Sequence, residues 1–174
     1  MHAKLSPKKL RSNMMEEQRR GAWPWLWLSV LVILTDQLTK WWASSALASG
    51  HVIKLLPLLN LRLAYNRGAA FSVLSGAGDW KLYFLTAVSI IAIVIMLFWM
   101  RALSRRDFLL AIGFSLVIGG AFGNLVDRVF LGYVIDFIDF HIGSWHFATF
   151  NLADSAVSIG AVLLIIHFVF EERG

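Results

Sequence analysis

Hydrophobic residues are concentrated in four long runs, separated by shorter polar segments. The runs occupy residues 23–47, 82–100, 108–126 and 150–170. Each is close to the roughly 20 apolar residues that cross a hydrocarbon core about 30 Å thick. The second run contains no charge, whereas the first continues past Asp36 and Lys40. The pattern predicts an all-α membrane protein with four transmembrane helices.

A different period follows the first run. In LLNLRLAYN, residues 58–66, apolar side chains from Leu59 to Tyr65 alternate with polar or small ones. Alternation of this kind is typical of a strand with one apolar face, and the following Asn66-Arg67-Gly68 is a turn signal. We expect a small extracytoplasmic β-sheet, or cradle, resting on the membrane, with four interfacial aromatic anchors: Trp41, Trp42, Trp80 and Tyr83.

Basic residues indicate how the runs are oriented. Lys and Arg cluster within residues 1–21, between the second and third runs at Arg101, Arg105 and Arg106, and after the fourth at Arg173. Because cytoplasmic flanks carry the excess of Lys and Arg, both termini are predicted to be cytoplasmic. Residues 48–81 and 127–149 then form the outer loops. Residues 1–21 are predicted to be a disordered tail and residues 22–174 a single membrane domain.

The composition indicates a membrane protein and excludes several kinds of functional site. Apolar residues make up 58% of the chain and charged residues 16%, which is unusual for a soluble domain. The absence of Cys excludes disulfides, thiolate metal sites, a Cys nucleophile and a lipid anchor on a Cys of this chain. The five His residues lack HExxH-like spacing, so no metal site is predicted. The net charge of +5 reflects topology and anionic lipid, and no nucleic-acid partner is expected.

The first run has an alternative interpretation as a cleaved secretory signal, because ALAS at 46–49 resembles a cleavage site. A signal h-region is about 7 to 15 apolar residues long. Here Asp36, Gln37 and Lys40 intervene before that site. An uncleaved span is therefore favoured.

Acidic residues converge at the outer side of the predicted bundle. Asp36 follows Trp23 by thirteen residues, which is about 20 Å at 1.5 Å per helical residue. The remaining acids of this group end the third run, lie in the second outer loop or open the fourth run: Asp127, Asp136, Asp139 and Asp154. The topology thus places all five near one membrane surface.

Spacing places several polar residues on common helix faces. Residues three or four apart are neighbours on a helix surface, and this applies to Asp36 with Lys40, to Asn124 with Asp127 and Arg128, and to Asn151 with Asp154. Gly119 and Gly123 form a small-xxx-small pair that lets another helix approach closely. We expect these polar faces to point into the bundle.

Structural roles compete with catalytic ones at each acid. One interpretation is that the charges are paired for structural reasons, Asp36 with Lys40 and Asp127 with Arg128. Asp154 could cap a helix, and Asp139 could simply be solvated in a loop. Asp136 and Asp154 have no adjacent cation in the sequence.

Two carboxylates in a partly apolar cleft share one proton, and such a dyad can activate water for peptide hydrolysis. Spacing alone does not choose this pair over one that includes Asp127. A proton or ion pathway would use acids in a similar way.

Five motifs, in order, resemble those of the lipoprotein signal peptidases, also called signal peptidase II. They are DQLTK at 36–40, NRGAAF at 66–71, GNLVDR at 123–128, VIDF at 134–137 and FNLADSA at 150–156. Each motif is weak alone, but the ordered set on four spans is highly specific. The resemblance extends from about residue 27 to residue 170.

The resemblance implies a four-helix aspartic endopeptidase of the bacterial inner membrane. It would remove signal peptides from diacylglyceryl-modified prolipoproteins by cutting on the N-terminal side of the lipidated Cys. It implies that Asp136 and Asp154 are catalytic and that the following residues bind substrate or support the site: Asp36, Lys40, Asn66, Arg67, Gly68, Asn124, Asp127, Arg128 and Asn151. Asp139 receives no role. Prolipoproteins and membrane lipid are the expected partners, with no cofactor, and the protein is expected to be a monomer.

Other functions remain as alternatives to this interpretation. A small ion- or proton-coupled transporter would need acids through the whole membrane depth, whereas the second run and the inner halves of the others contain none. A non-catalytic assembly subunit would not need acids at positions 136 and 154. Both alternatives rank below the peptidase.

Overall fold

Helices form most of the chain. The computed structural model describes residue 6 and residues 21–68, 80–104 and 107–171. After a 3-10 turn at Trp23–Trp25, the helices are α1 (Leu26–Ala46), α2 (Trp80–Ala102), α3 (Phe108–Leu131) and α4 (Leu152–Glu171). Three of them, α2, α3 and α4, are long and apolar enough to cross a membrane. The remaining helix, α1, has 21 residues and carries Asp36 and Lys40.

A small antiparallel sheet lies at one end of the helices. Its strands, in spatial order, are β1 (Ile53–Leu56), β2 (Leu59–Asn66), β3 (Val134–Ile142) and β4 (Trp145–His146). The strand predicted from the alternation after residue 58 is therefore confirmed as β2. The second outer segment, predicted only as a loop, supplies β3 and β4. Residues 134–137 are all buried, which removes the alternation that would have marked β3 as a strand.

The third helix is longer than its hydrophobic run. It continues to Leu131 instead of ending near residue 126, and Gly132 follows it with a φ of +77°. A left-handed glycine immediately after the last turn is a common helix stop. Asp127 and Arg128 therefore lie on the last turns of α3 and not in a loop.

The centre of the bundle is α3, which packs against the other three helices. Within the most apolar stretch of α3, 61% of residues are buried, compared with 6% for α2. Gly119 and Gly123 allow the predicted close approach of α1. A Cβ added at Gly119 would lie 2.9 Å from the Ser29 carbonyl oxygen, and one added at Gly123 would lie 2.6 Å from Asp36 Oδ2. Gly120 faces the opposite neighbour, where a Cβ would collide with the backbone oxygen of Ala153.

The sheet is fixed to the end of α1 by a small apolar cluster. Its buried members are Ala43 and Leu47, at the end of α1, with Leu61 on β2 and Phe137 on β3. The other main cluster lies at the opposite end of the bundle, where Ala22 packs among residues of α2 and α3. The cluster that holds the sheet and the cluster around Ala22 thus lie at opposite ends of the helices.

Some predicted features lie outside the described residues. These are the tail at residues 1–21, apart from Ser6 and Gly21, and residues 69–71 of the NRGAAF motif. The basic positions Arg105, Arg106 and Arg173 are also outside them.

Replacement of Gly120 by Ala is expected to destabilise the bundle. The new methyl group would meet the backbone of α4 at Ala153, which cannot rotate away as a side chain could, so we expect a loss of about 1–3 kcal/mol. Thermal unfolding in detergent measures this loss. Ala87→Val, at an exposed position on α2, is the control and should change the unfolding temperature little. Equal effects of the two substitutions would contradict the close contact.

Candidate active site

The centre of the polar network is the ammonium group of Lys40. Its Nζ lies 2.8 Å from Asp36 Oδ2 and 2.9 Å from Asp127 Oδ2. It also donates to Asn124 Oδ1 at 2.9 Å. Only 1% of Lys40 is exposed. A buried ammonium is tolerated only when oxygens replace its water shell, and these three oxygens do so.

The two carboxylates around Lys40 also hold the neighbouring elements. Asp36 Oδ1 accepts the backbone N–H of Ala153 on α4 at 3.0 Å. Asp127 accepts the N–H of Ile135 on β3 at 3.0 Å and the side-chain amide of Gln37 at 3.0 Å. The network therefore ties α1 and α3 to the start of α4 and to the strand that carries Asp136.

The predicted pairing of Asp36 with Lys40 is confirmed, and the direct ion pair of Asp127 is also with Lys40 and not with its neighbour Arg128. Adjacent residues on a helix point in directions about 100° apart and do not face each other. Asp127 accordingly faces Lys40 on α1, while Arg128 Nη1 contacts Ser89 Oγ on α2 at 3.4 Å.

Asn124 and Asn151 connect Lys40 with the two remaining acids. Asn124 donates through Nδ2 to Asp154 Oδ1 at 2.7 Å, while its Oδ1 accepts from Lys40. Asn151 donates through Nδ2 to Asp136 Oδ1 at 2.8 Å and to Asn124 Oδ1 at 3.0 Å. Each amide can donate and accept, so a single chain of hydrogen bonds reaches both Asp136 and Asp154.

The start of α4 places Asp154 by a reciprocal cap. Asn151 Oδ1 accepts the N–H of Asp154 at 2.9 Å, and Asp154 Oδ2 accepts the N–H of Asn151 at 3.2 Å. This is the arrangement of a capping box, with each side chain satisfying the other's backbone donor. The predicted capping role of Asp154 is therefore confirmed, and it fixes the carboxylate beside Asn124.

Asp136 lies on β3 with amide partners on both sides. Its Oδ1 accepts from Asn151 and its Oδ2 accepts from Asn66 Nδ2 at 3.0 Å. An irregularity in β2 between Leu61 and Ala64 lies opposite the Ile138 to Asp136 section of β3; bulges of this kind commonly re-aim side chains next to active sites. Within the described part of the chain, neither Asp136 nor Asp154 forms an ion pair.

The pKa of Asp136 is raised from 3.8 to about 7, and burial is the largest cause. The nearby charge of Asp154 contributes to the rise, whereas the hydrogen bonds from Asn66 and Asn151 and the charge of Lys40 oppose it. The folded protein therefore holds this proton up to about pH 7, while the unfolded chain releases it near the ordinary value. The folded state binds more protons in that window, so the free energy of unfolding falls as pH rises through it.

The turn after β2 positions Asn66. Asn66 Oδ1 accepts the N–H of Gly68 at 2.8 Å while its Nδ2 contacts Asp136. Gly68 has a φ of +94°, a conformation that strains any residue with a Cβ. Arg67, between them, is exposed. The described part of NRGAAF thus orients one amide towards Asp136 and leaves its Arg at the surface.

Arg128 lies half-buried beside the site without joining its hydrogen-bond chain. Its charge interacts most with Asp154, and then with Asp127 and Asp136. The nine predicted supporting residues therefore divide into three groups: those in the hydrogen-bonded network, the turn residue Gly68 that supports it, and the two Arg residues around it.

Asp139 differs from the prediction of a solvated loop residue. Only 1% of it is exposed, and it contacts His146 on β4, at 2.9 Å from Nδ1, as well as Asn60 and Arg62 on β2. Burial alone would raise the pKa of Asp139, but the hydrogen bonds from His146 and Asn60 and the charge of Arg62 lower it overall. Because alternate strand residues face opposite sides, Asp139 and Asp136 point away from each other and have separate partners.

A groove opens beside Asp154. It is about 370 Å³ in volume and is lined by Phe147, Phe150, Asp154, Ser155, Ser158 and Ile159. Its walls are mostly apolar, with the carboxylate and two hydroxyls as polar features. In the described residues, no three His, Asp or Glu side chains come together as a metal site. The groove thus exposes the carboxyl group of Asp154, whereas that of Asp136 is buried.

Comparison with known proteins agrees with the motifs. Residues 28–170 match the family model for signal peptidase (SPase) II, which covers most of the chain. The chain belongs to the signal peptidase II family. This is an aspartic peptidase family, so the chain is a peptidase with membrane helices.

Relatives of the family are similar over nearly their whole lengths. A lipoprotein signal peptidase of Coxiella burnetii is 50% identical over 90% of this chain and 96% of its own. One from Hydrogenovibrio crunogenus is 49% identical over 80% and 81%. Two solved bacterial membrane enzymes superpose with TM-scores of 0.75 and 0.73, at 32% and 33% identity, covering 86% and 83% of this chain and 89% and 92% of theirs.

Sequence reasoning missed one residue of the site, Gln37, and one residue near it, His146. Gln37 lies within the DQLTK motif on α1, and its side-chain amide contacts Asp127 and the Gly123 carbonyl oxygen on α3. Residue spacing along α1 alone does not indicate these contacts between two helices. His146 was considered only as a metal ligand. Its pairing with Asp139 depends on β3 and β4 forming a hairpin, and the second outer segment was not predicted to form strands.

Lys40→Met is expected to destabilise the protein strongly. It leaves Asp36 and Asp127 buried without a cation, and removing one partner of a buried ion pair costs about 3–5 kcal/mol. Thermal unfolding in detergent measures the loss. Lys54→Met, on the exposed strand β1, is the matched control and should have little effect. Adding Asp36→Asn and Asp127→Asn to Lys40→Met should restore part of the stability; a triple variant no better than Lys40→Met would contradict the charge argument.

Proposed function

We propose that the chain removes signal peptides from bacterial prolipoproteins with a water molecule activated by Asp136 and Asp154. The observation that carries the proposal is that Asn151 contacts both carboxylates, one through its side-chain amide and the other through its backbone N–H. The two acids thereby form one unit at the polar end of the bundle. Relatives named lipoprotein signal peptidase support prolipoproteins as the substrate class.

The two acids have different environments, and we assign them different roles. Asp136 is almost fully buried, and its pKa of about 7 suits a carboxyl group that holds the shared proton. Asp154 is partly exposed and lines the groove, which suits an ionised base next to incoming water. Environments that separate the proton affinities of two carboxyl groups are typical of acid–base pairs.

In the proposed hydrolysis, each proton passes between one of the two acids and either water or the substrate. Asp154 takes a proton from water as the oxygen attacks the scissile carbonyl carbon, and Asp136 gives its proton to the carbonyl oxygen. The tetrahedral intermediate breaks at the carbon–nitrogen bond, and the proton held by Asp154 passes to the leaving amine. Asp136 recovers a proton from the hydroxyl of the collapsing intermediate. The bond cut is the one on the N-terminal side of the diacylglyceryl-modified Cys.

The membrane placement follows from the same elements. We assign α1 as a fourth span, because its charged residues are paired inside the bundle and its other faces are exposed and apolar. Together with the basic flanks, this assignment supports an orientation with both termini in the cytoplasm and with the sheet and the dyad at the outer face of the inner membrane. Exposed Trp41, Trp42, Trp80 and Tyr83 would lie at the interface, where a lipid-anchored Cys presents its peptide bond.

The sheet and the Asn66–Gly68 turn support a cradle over the dyad. The transporter alternative receives less support, because the charged groups of α1 and α3 are paired near one end of the bundle and do not form a path across it. We further propose that the enzyme acts as a monomer on prolipoproteins.

Asp136→Asn and Asp154→Asn should each abolish cleavage while leaving the protein folded. Each loss is expected to be several orders of magnitude, because the two groups act as a unit. The measurement is gel-shift cleavage of a prolipoprotein, with and without its diacylglyceryl group, by purified protein in lipid or detergent. Only the lipidated substrate should be cut.

Asp107→Asn is the matched control for these variants. Asp107 lies at the other end of α3, where it accepts the Ser104 N–H, and its replacement should leave cleavage unchanged. Appreciable turnover by either dyad variant would refute the assignment of that acid. Equal cleavage of substrates with and without lipid would refute the proposed substrate class.

Cleavage should decline as the pH rises through about 7. Asp136 must be protonated to act as the acid, and its pKa is raised to about 7, so most molecules are active at about pH 6 and few at about pH 8. A pH profile of kcat/KM tests this, because kcat/KM reports the pKa values of the free enzyme. Because stability also falls up to about pH 7, circular dichroism at each pH must show folded protein. A rate that continues to rise beyond about pH 8 would contradict the role of Asp136.

A further inference from the structure

The β3–β4 hairpin is held to the sheet by a buried carboxylate. Both oxygens of Asp139 lie close to His146 Nδ1, at 2.9 and 3.0 Å. An ionised carboxylate can only accept, so Nδ1 carries the proton in this contact. Asn60 Nδ2 and Arg62 Nε approach the same carboxylate at 3.4 Å from β2. Asp139 thus connects three strands at a position where it does not contact the dyad.

The strand held by this contact is short and lies at the edge of the sheet. β4 contains only Trp145 and His146, paired with Ile142 and His141. The backbone continues with one further hydrogen bond, from the Phe147 N–H to the Phe140 carbonyl oxygen at 2.9 Å. Two-residue edge strands have few backbone hydrogen bonds to hold them, so a side-chain contact to a buried acid has a large share in fixing β4.

The segment after β4 leads directly into the candidate active site. Phe147 and Phe150 line the groove that contains Asp154. Phe150 is itself fixed by backbone hydrogen bonds with Ile138 at 2.8 and 3.0 Å. Phe147 follows His146 immediately, and its N–H continues the pairing of β4 with β3, so its position depends on that of β4.

We propose that Asp139 and His146 are positioning residues for substrate binding: their contact holds Phe147 as one wall of the groove beside Asp154. This inference rests on the proposed function, because it takes the groove to receive an apolar part of the prolipoprotein next to the scissile bond. Neither residue contacts Asp136, whose partners Asn66 and Asn151 are separate. Loss of the contact therefore weakens substrate binding and leaves the chemical step intact.

His146→Phe is the first test. Phenylalanine keeps an aromatic ring against His141, which now stacks on His146 with centroids 5.1 Å apart, but it cannot donate to Asp139. Kinetics of cleavage of the diacylglyceryl prolipoprotein should show KM raised about tenfold and kcat within about twofold of the unmodified protein. His146→Asn retains an amide donor near the position of Nδ1 and should restore most of the KM.

The matched control is His141→Phe. His141 lies opposite His146 on β3, and its Nδ1 contacts the Gly143 carbonyl oxygen and not Asp139. The kinetic parameters of this variant should stay within about twofold of the original. A change equal to that of His146→Phe would show that the effect is general to the hairpin and would overturn the proposal.

Binding without turnover provides a second, independent readout. In an Asp136→Asn background, which removes the proposed acid and not the groove, adding His146→Phe should raise the Kd for the uncleaved lipidated substrate about tenfold. A kcat effect with unchanged KM, an unchanged Kd, or a His146→Asn variant as impaired as His146→Phe would each overturn the proposal. Cleavage by Asp136→Asn or Asp154→Asn would instead overturn the dyad, so the two failures are distinguishable.

Discussion

The ammonium group of Lys40 is the interaction on which the bundle depends. It sits among three oxygens from α1 and α3, in a region where an unpaired charge would be very costly. The carboxylates it neutralises bond in turn to backbone N–H groups of Ala153 and Ile135. The positions of the start of α4 and of β3 relative to α1 therefore follow from satisfying one buried cation. Close approach at Gly119 and Gly123 makes the geometry attainable.

The acids of the site are neutralised to different extents, and this difference affects their pKa values. Lys40 neutralises Asp36 and Asp127, whereas Asp136 and Asp154 interact mainly with the amides of Asn66, Asn124 and Asn151. Amides orient a carboxylate without supplying a full positive charge. The pKa of Asp136 is raised by burial and by the second acid, and an ammonium group in direct contact would oppose this rise. The structural and the proposed catalytic acids thus differ in their hydrogen-bonding and ion-pair partners.

The sheet brings polar chemistry to the end of an apolar bundle. β3 carries two acids that point to opposite sides, one towards α4 and one towards β2 and β4. The same strand therefore contributes both to the candidate active site and to the fixation of the hairpin that leads back to α4. Residues 134–137 of this strand are all buried, which explains the apolar residues on either side of Asp136.

Much of this architecture was determined by the sequence alone. Continuous apolar runs identify membrane helices because lipid imposes a length and a composition on each segment. Alternation revealed β2 because one of its faces is apolar, and i, i+4 spacing predicted the contact of Asp36 with Lys40. The ordered motifs identified the family. These features are local along the chain, or are repeated at a fixed period, and can be seen without knowledge of the neighbours in space.

Only the tertiary structure decided which charges meet across elements. Asp127 faces Lys40 and not Arg128, Asn151 joins Asp136 to Asp154, and Asp139 is buried against His146. Spacing along one helix or strand contains no information about partners on another, and β3 has no alternating pattern over residues 134–137 because both of its faces are covered there. The raised pKa of Asp136 is likewise a property of the tertiary structure. It depends on how much water the packed helices and strands exclude, and no single segment of the chain determines that.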